Sequence, residues 1–475
     1  MPARSRRFPS TSRSRCCGSA CSSSSIQQGD SSVRRTVLAA VLVGLVVVAS
    51  LGPWPPPSAP AQGVDVYINV TGGGSKKLNI AIPNFTVVSG ADAAGHAKLL
   101  AAVAGNDLTV SGFFSVVAGV EPVPANNAEE LQRRWSEFAA AGAHAAVHGL
   151  LAVRGERLEA EMRLYDLTSP GYRLIASKKF DAAAPQARRL AHRIADEIVL
   201  QFTGEPGIAD TKIAYVGGRP GAKEIIVADY DGAGAVPATR NGSINLMPVW
   251  SPDARSIAFT SFMNGYPDLF RMFPFEPQRP VQTLAAFAGI NSSPAWSPDG
   301  RFLALTLSMH GNPEIYVLTV ATGKLERLTR HASIDTEPVW SPTGRQIAFV
   351  SDRAGQPRIH VMDADGTNVR QLTSSGFHTQ PRWSPKGNII VYTQRQGTHD
   401  LWAIDVSGAN PRPLTAGPGD NQGASWAPDG RHLAFQSNRS GRWQLYVMLL
   451  DGSSLTQIPL GVSDATSPTW SPRLP

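Results

Sequence analysis

With 475 residues and a formal net charge of +7, the chain is long enough for two or more domains. The charge excess is local: seven arginines and one acid, Asp30, stand within residues 1–36, and residues 37–61 carry no charge, which leaves +1 for everything after them. That balance excludes a basic surplus for nucleic acid in the bulk of the chain, and with Cys16, Cys17 and Cys21 all near the N-terminus the same stretch has no disulfide and no thiolate site.

Residues 1–61 read as a targeting leader. Arg34-Arg35 precede a 15-residue apolar run, Val37–Leu51, short for a membrane span and suited to a signal-peptide core. Ala59-Pro60-Ala61 supplies small residues for cleavage before Gln62. The flanks of the twin arginine, Val33 and Thr36-Val37, fit the twin-arginine route poorly, so ordinary secretion is expected. No cysteine closely follows the apolar run, which argues against a lipid anchor, and the mature chain is expected to have no stable membrane insertion.

Residues 62–204 are expected to form a small α/β domain. Val64–Val70 alternates as a strand, Thr71–Ser75 is Gly-rich, and Leu78–Ile82 is a second strand. Helical patterns follow at Ala91–Ala104 and Ala128–Ala141, then strands at Ala143–Leu151 and Glu159–Leu167. The last element is a helix on which Leu190, Ile194, Ile198 and Phe202 make one apolar stripe, closed by Thr203-Gly204. Gly72–Gly74 before Lys76-Lys77 lacks the spacing of a phosphate cradle and reads as a turn. His144 and His148 lie on a stretch that reads as a strand, and with His192 they are assigned structural roles.

Residues 205–475 repeat one phrase, Pro-x-Trp-Ser-Pro. It stands at Pro248–Pro252, Pro294–Pro298, Pro338–Pro342 and Pro381–Pro385, in degenerate form at Ala424–Pro428, and again at Pro468–Pro472. The tryptophans Trp250, Trp296, Trp340, Trp383, Trp426 and Trp470 are separated by 46, 44, 43, 43 and 44 residues, the period of four-stranded propeller blades. After each phrase come a turn, an apolar run such as Ile347–Val350, a polar stretch, a second run such as Arg358–Met362 and a short outer strand. Proline cannot donate to a ladder, so Pro-x-Trp belongs on the blade's inner edge, with the tryptophan packed between blades. Lys212–Val216 and Glu224–Asp229 have no phrase before them, and Trp470 has no strands after it. A split sixth blade, its inner strand supplied by the C-terminus, completes the ring.

In such a meander the links into each Pro-x-Trp strand share one face with the links between second and third strands. That face carries varied polar residues: Asn291, Ser292 and Ser293, Thr336, Glu337, His378, Gln380, Asn421 and Gln422. The other face is uniform hairpins such as Asp299-Gly300, turns rather than calcium sites. Variation on one rim of a rigid ring suits a partner-reading surface. No G-x-S-x-G, H-E-x-x-H or Walker A sequence is present, and no cofactor or metal is expected. The rival reading is a hydrolase or lyase with a channel-mouth site among Glu337, His378 and Asp420.

One segment carries a family resemblance. Ala191–Ile198, then Phe202-Thr203-Gly204-Glu205-Pro206-Gly207-Ile208, then Lys212–Val216 strongly resembles the domain junction of the TolB family, periplasmic propeller proteins of the Tol-Pal envelope system of Gram-negative bacteria. Trp135, Gly142–Gly149, Leu164-Tyr165-Asp166 and the blades ending at Trp470-Ser471-Pro472 extend the similarity over residues 64–475. The resemblance implies an N-terminal domain like a tRNA-synthetase anticodon-binding domain, without a nucleic-acid role. It also implies a monomeric, non-enzymatic periplasmic scaffold that supports envelope integrity and outer-membrane constriction at division. Two binding surfaces are implied. A TolA-like inner-membrane protein is met by the segment Val64, Asp65, Val66, Tyr67, Ile68, Asn69, Val70 and Thr71. A Pal-like peptidoglycan-associated lipoprotein is met by the propeller face, where Asp335-Thr336-Glu337-Pro338 matches the family pattern.

Overall fold

The computed structural model describes residues 77–124 and 127–475. The leader at 1–61, its cleavage site, and the segment Val64–Thr71 lie outside these residues.

The N-terminal region is a mixed sheet between helices. Its strands are β1 (Leu78–Ala81), β2 (Thr86–Ser89), β3 (Phe114–Val117), β4 (Ala145–Arg154), β5 (Arg157–Asp166) and β6 (Arg173–Ala183), in the order β3-β1-β4-β5-β6 with β2 also paired to β4. The period-2 alternation of β1 and β4 sorts the core onto two faces. Ile80, Ala145 and Val147 face helices α1 (His96–Val110) and α3 (Ala187–Thr203), whereas Ala81 and Ala146 face α2 (Ala128–Ala140) through Trp135 and Phe138. The expected stripe of α3 is fully used: Leu190, Ile194, Ile198 and Phe202 are all buried, and Gly204 ends the helix in the left-handed region at φ 73°.

Three features depart from the sequence expectation. Helix α1 begins at His96 rather than Ala91, because the Asp92 carboxylate accepts from the backbone N–H groups of His96 and Ala97 at 2.8 Å and so caps a later turn. Strands β2 and β3 are only four residues each and carry no extended alternation. Strand β6 has 11 residues with only Phe180 buried, so it is a polar edge strand without an apolar face to read.

The propeller has six four-stranded sheets. The first runs Asn245–Trp250, Ile257–Ser261, Asp268–Met272, Gln282–Ala285, and four more repeat that order. The sixth is the split blade: Ala465–Trp470 pairs antiparallel with Lys212–Arg219, with Trp470 opposite Ile213, and Ala222–Asp229 and Val236–Pro237 follow outward. Second strands are buried along most of their length, Ile257–Ser261 at every residue, since both faces of each blade are covered by neighbours. The tryptophans lie between blades as expected. Trp250 packs with Ala214 and Ile225 of the split blade, and its Nε1 donates to the Thr469 carbonyl; Trp340 and Trp426 reach back in the same way to Ala295 and Arg382.

The rest of the phrase builds the hairpin after the inner strand. Ser297 Oγ accepts the Phe302 N–H at 3.0 Å and donates to Asp299 at 2.6 Å, while Gly300 takes φ 69°. That φ is open to glycine at little cost.

The α/β region and the propeller form one compact unit. A single apolar core runs from Leu108 and Ile194 to Tyr215, Tyr230, Val447 and Trp470. Polar contacts reinforce it: Tyr230 donates to Asp107 at 2.8 Å, His432 Nε2 meets the Val110 carbonyl at 3.0 Å, and Arg431 stacks on Phe113 at 3.8 Å. Lys386 pairs with Glu205 at 2.7 Å. Tyr230, Lys386, Arg431 and His432 all belong to hairpin turns or their flanks. The contacts named here place the α/β region on the hairpin face. Among the described residues no helix is long and apolar enough to cross a membrane.

Candidate functional site

The loop face is organised by the six inner strands, each of which uses the three residues before its Pro-x-Trp phrase differently. The first residue turns into the junction between blades. Asn291, Asp335, His378 and Asn421 are there, each no more than 2% exposed. Asn291 accepts from the Phe287 N–H at 2.9 Å and donates to the Phe287 carbonyl at 2.7 Å, clipping the loop before its strand. Both carboxylate oxygens of Asp335 accept from one nitrogen of Arg353, Nη2, at 2.8 and 3.0 Å. His378 Nδ1 meets Thr373 Oγ1 at 2.8 Å, and Asn421 joins Asp400 to Arg439. The sequence reading set Asn291, His378 and Asn421 on exposed loops; the structure corrects this. They pin those loops from beneath, because the first of the three residues points between blades and must satisfy the backbone that arrives there.

The second residue is half-buried, as at Ser292, Thr336 and Gln422. The third is a bulge. Pairing registers shift in every inner strand, for example between Thr336 and Val339, and the third residue takes a positive φ in all six. Five of these are not glycine: Met247, Ser293, Glu337, Gln380 and Ser467, at φ 51–53°. Each costs of order 1–2 kcal/mol of backbone strain and persists only where its surroundings enforce it. The enforcement comes from the preceding blade. The Glu337 N–H donates to Thr306 Oγ1, Gln380 N–H to Glu337 Oε2 at 2.5 Å, Gly423 N–H to Gln380 Oε1 at 2.9 Å, and Ser467 N–H to Gln436 Oε1 at 2.6 Å.

The bulges aim these side chains into the central channel, a space of about 150 Å³ lined by all six inner strands. Glu337 and Arg382 both face it. Burial pushes the Glu337 carboxyl up from its ordinary range, against the Gln380 N–H and the Arg382 charge, and burial likewise draws the guanidinium of Arg382 down. The sequence held the position of the ring in the Pro-x-Trp phrase. It did not disclose the bulge, although the residue before each proline is barred from ordinary helical backbone.

The structure gives Glu337, His378 and Asp420 separate hydrogen-bond partners. Glu337 bonds to Gln380, His378 to Thr373, and Asp420 to His399 at 2.9 Å. No hydrogen bond links any two of the three among the described residues. A second ionic cluster lies under the α/β region, where His192, Asp229 and Asp231 bring ligand atoms within 4.8 Å of one another. Cations already fill it: Lys212 pairs with Asp229, and Arg188 with Asp229 and Asp231. Burial alone would lower the His192 pKa, but the hydrogen bond to Asp107 at 2.7 Å and the Asp229 carboxylate at 3.7 Å outweigh it and raise the imidazole to about 10.

Family comparisons agree with this architecture. The TolB beta propeller domain matches residues 199–399 and 373–474, and the TolB amino-terminal domain matches 66–171. The chain is 33% identical over 454 residues to the Tol-Pal system protein TolB of Gluconobacter oxydans, covering 93% of this chain and 96% of that one. It is 40% identical over 196 residues to the Tol-Pal system protein TolB of Geobacter sulfurreducens, 41% of this chain and 44% of that one. The crystal structure of TolB from Acinetobacter baumannii superposes with a TM-score of 0.73 at 28% identity, covering 84% of this chain and 97% of that one.

Proposed function

The chain belongs to the TolB family of Tol-Pal system proteins, and from that premise we propose that it is a non-enzymatic periplasmic scaffold, exported through a cleaved leader at residues 1–61. In this reading it acts as a monomer. The segment Val64–Thr71 docks a TolA-like inner-membrane protein, and the loop face of the propeller docks a Pal-like peptidoglycan-associated lipoprotein. The linkage supports envelope integrity and outer-membrane constriction during division.

One observation carries the reading. The α/β region occupies the hairpin face, while the opposite face combines varied loops with five strained, non-glycine bulges around a channel mouth. Strain held at such a rim is more often kept for recognition than for folding. Glu337 lines this channel, half-buried Thr336 precedes it on the same strand, and the buried Asn291, His378 and Asn421 set the shape of the loops above them. The hydrolase or lyase alternative loses support, because Glu337, His378 and Asp420 are committed to separate partners.

Calorimetric titration with a Pal-like periplasmic domain tests the propeller half. Thr336→Arg should weaken binding by at least about tenfold, roughly 1.4 kcal/mol. Asp299→Arg, on the hairpin face, should bind like the parent. Equal loss from both would mean general damage, and no loss from either would place the site elsewhere. Removing Gln62–Thr71 should abolish TolA binding while the propeller stays folded; retained binding would refute that assignment.

A further inference from the structure

The charge on the loop face is sorted by sign. Asp352, Asp420 and Asp464, the acids in its connecting links, are half-buried and turned inward, each accepting a backbone N–H: from Ile334 at 2.8 Å, His399 at 2.9 Å and Trp443 at 3.3 Å. The arginines are turned outward. Arg219, Arg240, Arg330, Arg395 and Arg442 stand at the strand tips and links of this face, and all five are exposed. None has a carboxylate within ion-pair distance among the described residues, whereas Arg327 and Arg353 nearby are held by Glu314 and Asp335 at 2.8 Å. The hairpin face shows no such sorting: exposed Asp253 stands with Arg255, and Asp299 with Arg301.

Apolar side chains stand between the arginines on one arc only. Tyr266 is 74% exposed, Ile334 46% and Ile290 44%, all on links of the first three blades. Arginine with exposed aromatic and aliphatic anchors is the composition of protein interfaces. A guanidinium presents a planar fork that matches carboxylates in pairs of hydrogen bonds. The one-sided apolar arc gives the face an orientation, which a folded partner can read and a lipid surface cannot.

We infer that the five arginines form an electrostatic collar that captures a folded protein partner by an acidic surface patch, with the Tyr266–Ile334 arc setting its orientation. The inference rests on the proposed docking of a Pal-like domain to this face and names the chemistry that domain must present. The collar acts mainly before contact, since rim charges change association rate and salt dependence more than dissociation.

The test uses the full mature chain and the soluble Pal-like domain, followed by stopped-flow association and calorimetry. The combined variant Arg330→Glu, Arg395→Glu, Arg442→Glu should bind at least about tenfold more weakly, chiefly through slower association. Raising ionic strength should weaken the parent's binding and leave the variant nearly unaffected. If the variant misfolds, the salt dependence of the parent still decides. Parent binding that is insensitive to both salt and charge reversal overturns the collar and leaves the docking face intact. Absence of any binding by the parent overturns both. Binding of the parent to phosphatidylglycerol-containing vesicles, lost in the variant while Pal-domain binding is kept, would reassign the collar to a lipid surface.

Discussion

The two faces of the propeller come from the same six sheets and solve opposite problems. The hairpin face repeats one backbone device, a left-handed corner four residues into each turn after the inner strand, filled by Gly at Ser297–Gly300 and Ser341–Gly344, where a Ser and an Asp or Thr close the turn, and by Ala254 in the first blade. Those turns satisfy themselves, and their uniformity lets the α/β region settle on several of them. The loop face repeats a backbone, the left-handed bulge, but fills it with Met247, Ser293, Glu337, Gln380, Gly423 and Ser467. Constant chemistry on one side makes the ring, and varied chemistry on a constant, strained backbone leaves the other side free to be specific.

The comparison breaks most severely if the ring fails to close, because both faces depend on closure. Trp470 is 4% exposed, donates to Thr211 at 2.8 Å, and belongs to the core shared with the α/β region. Trp470→Ala should cost about 3–5 kcal/mol in denaturant unfolding. An unchanged midpoint would contradict closure through the C-terminal strand.

The next effect sharpens the hairpin side alone. Tyr230→Phe leaves buried Asp107 without one of its donors and should cost about 1–3 kcal/mol. The same interface gives a pH signature. The His192 pKa is raised from 6.5 to about 10 in the folded chain, so its contribution is fully present below about 6.5 and is lost as pH rises through 10. Melting temperature should therefore fall between neutral pH and pH 10, and His192→Gln should flatten that slope. A slope unchanged by the substitution would remove His192 as the cause.

The smallest effects compare the two backbones directly. Gly300→Ala on the hairpin face forces a side chain into φ 69° and should destabilise by about 1 kcal/mol. Ser293→Gly on the loop face relieves φ 51° and should be neutral or stabilising by up to about 1 kcal/mol. Destabilisation by Ser293→Gly would mean that the bulge is not strained.

Much of this was legible because proline and tryptophan carry strong physical constraints. Pro248 and its counterparts could only lie on an inner edge, and Trp250 and Trp470 could only be buried between blades, so the ring and its closure followed. The bulge was not legible, since a single residue before proline gives no periodic signal. Nor was the inward turn of Asn291, His378 and Asn421, because a polar residue after a loop looks exposed until the loop's own N–H and carbonyl groups are located. Strand β6 escaped for the converse reason: an edge strand with Lys178, Lys179 and Asp181 looks like a linker until its partner β5 is in place.

The assignment of opposite roles to the two faces is tested most directly by hydrogen exchange on the chain with and without a bound Pal-like domain. Protection should appear in the links before the inner strands, at residues 286–290, 330–334 and 374–376, while the hairpin turns at 298–300 and 342–344 exchange as before. Protection of those hairpin turns with exposed links would reverse the assignment of the two faces, and it would contradict the docking surface proposed for this chain.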